Sequence, residues 1–216
     1  FCLWAISANM ANPLNYEKFC ETVDVQSFID YMSIETYINN SDWQSTGVNN
    51  WQAWRSKTVH SNIPEANGKW RFVLYDTDIC AGLYNSEKNV ANYDSLGKNG
   101  PKSQYYNFSA ILKNLIRNNE FRQQFYDSYM EIIDTTFDTT TVSSKITEYV
   151  NSYEKVTRDT LKRFSLGWAE KNYSKEVQLI RDFFNTRPDY AKRYLEQYCD
   201  ESKLDIENNL STTNFW

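Results

Sequence analysis

The chain has 216 residues, of which 41% are hydrophobic and 24% charged, with a formal net charge of -5 and a pI near 5.1. That length supports one sizeable core, or a core with a helical extension. The acidic balance lacks the basic stripe of a nucleic-acid binder, and no stretch approaches the roughly 20 apolar residues of a membrane span.

Aromatic residues make up 16% of the chain, as 16 Tyr, 12 Phe and 7 Trp, which points to a core built from large rings. Cys2, Cys20, Cys80 and Cys199 form no C-x-x-C pair and have no His at metal spacing, which argues against zinc. Cys2 and Cys20 could bridge in an oxidising compartment. The single His60 lies in a polar stretch and reads as a surface residue. The apolar start, Phe1 to Ile6, has no basic n-region and is too short for a secretory signal. The lack of an initiator Met suggests that residues upstream are missing.

The first clear element begins at Asp24, a plausible N-cap. Phe28, Ile29, Met32, Ile34, Tyr37 and Ile38 follow near helical spacing, to about Asn40. A polar, turn-rich segment follows, over 39–50. Trp51, Ala53 and Trp54 then suggest a short strand, and Asn67-Gly68 is a hairpin turn signal. Lys69 to Tyr75 is a β-type run that ends in Asp76-Thr77-Asp78.

From about Tyr105 the pattern becomes helical. Phe108, Ile111, Leu112 and Leu115 make one apolar face, and Phe121, Phe125 and Tyr129 the next. Val142, Ile146 and Val150 begin a third helix. Val177, Ile180 and Phe183 or Phe184 begin a fourth, which Arg187-Pro188 is expected to stop before a last helix with Tyr190, Tyr194 and Tyr198. The acidic, polar tail after Cys199 reads as weakly ordered.

Two acidic stations could do chemistry. Asp42 lies in a loop directly after an apolar helix, upstream of Asn49-Asn50. Asp76-Thr77-Asp78 sits at the C-terminal end of a strand, where a rigid element can hold carboxylates at its mouth. Asp and Asn oxygens are hard ligands suited to Mg²⁺, which keeps waters and phosphate oxygens in its shell. Phosphoryl transfer needs this set: one Asp at the nucleophile's proton, and an Asn and a second Asp to hold metal on the phosphates.

The segments Asp24 to Trp43, Asn49 to Arg55 and Lys69 to Asp78 resemble, in that order, the helix leading to the catalytic loop, the following strand and the acid-x-acid strand end of the CotH (spore coat protein H) family of atypical kinases. Asn119 to Phe125 and Phe183 to Pro188 are similar to its helical tail, so the resemblance runs from about Val23 to Tyr198. It implies an α+β, mainly α fold: a protein-kinase-like C-lobe with a small β-hairpin region followed by a helical bundle. Residues 1–104 would hold the catalytic loop and metal site, and 105–216 a helical subdomain of the same domain. Asp42 would be the catalytic aspartate, Asn49 or Asn50 the metal-binding asparagine, and Asp76 or Asp78 the metal-binding aspartate.

The implied cofactors are Mg²⁺ and ATP, and the implied substrate is Ser or Thr of a secreted or surface protein, in a bacterial spore coat or at a cell surface. No Gly-rich phosphate loop and no nucleotide-clamping Lys precede Asp24, so these residues alone are expected to bind ATP weakly. Two other readings are a metal-dependent glycosyltransferase using Asp76-Thr77-Asp78 as its D-x-D motif, and a non-catalytic binding or scaffold domain with a Trp- and Tyr-rich surface.

Overall fold

The computed structural model describes residues 1–43, 50–83, 89–97 and 108–212, with side chains through 200. The class is the mainly helical α+β one expected from the sequence. Two short helices that the sequence reading missed come first, α1 (Cys2–Ser7) and α2 (Pro13–Thr22). Asn12 caps α2 by accepting the Leu14 N–H, with Pro13 at the first helical position, where its missing N–H costs nothing.

Helix α3 (Val25–Tyr37) starts where the sequence placed it. The Asp24 carboxylate accepts the Ser27 N–H at 2.9 Å and also pairs with Arg71 at 2.8 Å. The α2–α3 corner therefore fixes the following strands. β1 (Gln52–Trp54) pairs antiparallel with β2 (Arg71–Val73). Trp70 forms a parallel bridge to Val23, and the Phe72 N–H donates to Ser27 Oγ. The strands are joined by residues 55–70, which contain a 3₁₀ turn at Pro64–Ala66. Asn67-Gly68 is a turn, with Gly68 at φ 79°, but it ends this long connection and is not a two-residue hairpin loop.

Helix α4 (Phe108–Leu115) leads to α5 (Asn119–Glu131), which the Asn118 side chain caps through the Glu120 and Phe121 N–H groups. A wider π turn at Ile132–Thr136 follows, then α6 (Thr139–Arg163) and α7 (Gly167–Thr212). The α5 stripe of Phe121, Phe125 and Tyr129 is buried against α3, where Phe28, Ile29, Met32 and Tyr37 complete the core. Phe72 covers the other side of α3, with its ring 5.3 Å from Phe28 and 5.4 Å from Tyr31.

Arg187-Pro188 does not stop a helix. α7 runs through Pro188, and the tail expected to be weakly ordered is helical to Thr212. A mid-helix proline costs about 3 kcal/mol, and tertiary packing offsets it here. Phe183 on one side of Pro188, and Ala191 and Leu195 on the other, are all buried. Cys2 and Cys20 form no disulfide with each other.

Candidate active site

The C-terminal end of α3 sets the first acidic station. A helix leaves its last carbonyls without intrahelical donors, and here each acquires one. Asn39 takes the left-handed conformation at φ 51°, and the Asn40 N–H reaches back to the Glu35 carbonyl, as in a Schellman ending. The Thr36 and Tyr37 carbonyls accept from the Arg187 guanidinium at 2.8 Å each, and Ser95 Oγ also donates to Thr36. The Ile38 carbonyl accepts from the Ala81 N–H at 2.9 Å.

Arg187 is 1% exposed, and its remaining bonds go to the Ala91 and Tyr93 carbonyls and Ser95 Oγ. Burial lowers its pKa from the usual arginine value. A cation on the C-terminal carbonyls of α3 also complements the helix dipole. Sequence reasoning took this residue for part of a helix stop and missed it.

The turn then delivers Asp42, which is half-buried. Its N–H donates to Asn40 Oδ1 at 3.1 Å, and its Oδ2 accepts from Asn50 Nδ2 at 2.9 Å. Trp43, fully buried beside Tyr31 and Phe108, anchors the loop immediately after it. Of the two asparagines named from sequence, Asn50 thus meets Asp42, and Asn49 lies outside the described residues.

The second station arrives along the same helix. The chain from Trp70 to Ala81 follows α3 from its N-terminal corner to its C-terminal exit. It is tied there by the Ser41 N–H to the Ile79 carbonyl at 3.0 Å, and by the Ala81 bond to Ile38. Asp76 and Asp78 are exposed. The pKa of Asp76 is raised, by partial desolvation first, then by Asp78 and by the charge of Asp42. Because Asp76 is open to solvent, the like-charge crowding is the more informative cause. Asp42 is thus near enough to Asp76 to be felt electrostatically.

Among the described residues five non-glycine residues have positive φ. Four of them, Asn39, Asn50, Asp76 and Ala81, lie in these two segments. Such backbone costs on the order of 1–3 kcal/mol per residue and clusters at functional sites. A cavity of about 250 Å³ opens beside Asp78, between Cys80 to Leu83 and the α7 residues Leu179, Ile180 and Phe184.

Among the described residues no three His, Cys, Asp or Glu side chains close into a ready-made metal cage. The donors present nevertheless suit Mg²⁺, which takes one or two carboxylates and completes its shell with water and phosphate oxygens. Crowded carboxylates, one with its pKa raised by the others, are what a divalent cation relieves.

The family model described as CotH kinase protein matches residues 4–191. The chain belongs to the CotH kinase family. No curated protein and no solved structure matches it. Among the described residues no helix is long and apolar enough to cross a membrane.

Proposed function

We propose that this chain carries the catalytic-loop and metal-holding part of a protein kinase that moves the γ-phosphoryl group of ATP to a Ser or Thr hydroxyl. The observation that carries this reading is the tying of the α3 exit to the β2 exit. Two backbone bonds, Ser41 to Ile79 and Ala81 to Ile38, bring Asp42 to the side of Asp76 and Asp78. Membership of the CotH kinase family supports the same reaction class.

In this reading Asp42 Oδ accepts or orients the proton of the attacking hydroxyl, and Asn50 Nδ2 holds that carboxylate in place. Asp76 and Asp78, with the Asn50 or Asn49 amide oxygen, would hold Mg²⁺. The bound ion would neutralise charge on the transferring phosphates. Acceptors would be proteins of a spore coat or cell surface.

Calorimetry on the full-length protein tests the nucleotide class. Heat from ATP that requires Mg²⁺ and disappears in Asp78→Ala supports the reading. Metal-dependent binding of a sugar diphosphate in place of ATP would overturn it in favour of a glycosyltransferase.

A further inference from the structure

Glu35 is a carboxylate the proposed chemistry does not use, yet it lies directly beneath the loop that carries Asp42. It is on the buried face of α3, with 0% exposure. Its Oε2 accepts from Asn40 Nδ2 at 2.9 Å, and within the described residues its Oε1 has no hydrogen-bond partner. Around it stand the Tyr31 hydroxyl from the same helix, out of strict hydrogen-bond geometry yet close enough to lower the Glu35 pKa as a donor, and the Cys80 thiol from the segment after β2. No cation faces it.

A buried ionisable group with one oxygen short of a well-formed hydrogen bond is costly. What it does is visible one residue further on. A carboxylate can only accept, so it fixes which end of the Asn40 amide points inward. The Nδ2 end faces Glu35, and Oδ1 must then face the Asp42 N–H, which it accepts at 3.1 Å. A flipped Asn40 would set an N–H against that N–H.

We propose that Glu35 is a positioning residue: through the buried Asn40 amide it sets the backbone of Asp42, and so the aim of the Asp42 carboxylate. This rests on the reading of Asp42 as the catalytic aspartate, but the relay itself can be tested apart from that reading. Burial pushes the Glu35 carboxyl up to about 7, against weaker lowering by Asn40 and Tyr31. In its protonated form Oε2 can still accept from Asn40, so the relay persists across that titration. Cys80 stays a thiol throughout, since burial first and then Glu35 and Asp78 push it up to about 12.

The test compares Glu35→Met, Glu35→Gln and Asn40→Ala in the full-length protein, by amide hydrogen exchange at Asp42 and by steady-state transfer from Mg²⁺-ATP. Glu35→Met should speed exchange at Asp42 about tenfold and lower kcat about tenfold, with KM for ATP within about twofold, because it loosens aim and not nucleotide binding. Glu35→Gln retains an acceptor oxygen and should recover both to within about threefold. Asn40→Ala should reproduce the Met effect and abolish any further effect of Glu35→Met, which also serves should the Met variant fold poorly.

Unchanged exchange at Asp42 in folded Glu35→Met, or additive effects of the two substitutions, overturns the proposal. Absence of transfer from the wild-type protein would overturn the kinase reading alone, because the exchange measurement still decides the relay.

Discussion

At the scale of single residues, the site is built from side chains whose roles depend on what surrounds them. Asp42 and Asp76-Thr77-Asp78 stood out in the sequence only jointly. A lone Asp in a polar loop is usually a cap or turn residue, and it was the chain order of the two stations, with the resemblance to the CotH family, that singled them out. Glu35 was not legible. In the sequence it sits among helical residues and reads as one more polar position on a helix, and only the packing of α3 shows that it faces inward. Its burial has a measurable consequence. The folded protein holds the Glu35 proton up to about 7, whereas the ordinary value is 4.5. Between those values the native state binds more protons than the unfolded chain, so stability falls as pH rises. The contribution is complete below about pH 4.5 and lost as pH passes about 7, on the order of 3 kcal/mol. Glu35→Gln removes the titration. The Tm of the variant minus that of the wild type should therefore climb by roughly 6–10 °C from about pH 5 to about pH 8. A difference independent of pH would contradict a buried Glu35 carboxyl that titrates near 7 in the folded protein.

At the scale of elements, α3 organises the site, and its two ends were legible to different degrees. The Asp24 cap was readable because an Asp before an apolar helical run has a local reason to be there. The C-terminal end depends on partners far along the chain. Asn39 turns the backbone, Ala81 caps Ile38, and Arg187 closes the Thr36 and Tyr37 carbonyls from more than a hundred residues away. Local signals misled at the same place, because Arg187-Pro188 has the local form of a helix stop. The buried residues on either side of Pro188 outweigh that preference.

Arg187→Met should accordingly remove more than packing. It takes the donor from the Tyr37 and Ala91 carbonyls, and one of two donors from those of Thr36 and Tyr93, at about 1–3 kcal/mol for each group left unsatisfied. A loss of about 3 kcal/mol or more, or roughly 6–12 °C in Tm, is expected by thermal unfolding. Hydrogen exchange should rise first at Ile38 to Asp42. A variant within about 0.5 kcal/mol of wild type would show that the guanidinium is dispensable to the α3 ending.

At the scale of the whole molecule, stability is unevenly spread. α3, α4 and α5 share a core of rings and branched aliphatics, which also takes in α7 residues near Pro188. α6 has no buried residue, and its antiparallel pairing with the first part of α7 leaves Tyr149, Tyr153, Val156, Phe164, Leu166 and Trp168 exposed. A helical pair with so little burial opens more readily than the core. Amides of α6 should exchange well before those of α3 and α5, and a protease should cut first near the left-handed Ser165 turn. Equal protection of α6 and α3 would contradict this division.

The division sets the acidic stations, tied to the exit of α3, on the side of the core, which the proposed phosphoryl transfer would need. The most direct measurement is transfer of labelled γ-phosphate from Mg²⁺-ATP to a Ser- and Thr-rich acceptor by the full-length protein. It is made side by side with Asp42→Asn, which keeps the side chain's size and removes its charge. Transfer that falls about a hundredfold or more in Asp42→Asn, with ATP binding retained, is the predicted result. Wild-type transfer in Asp42→Asn, or no transfer by the wild type under any metal condition, would contradict the account.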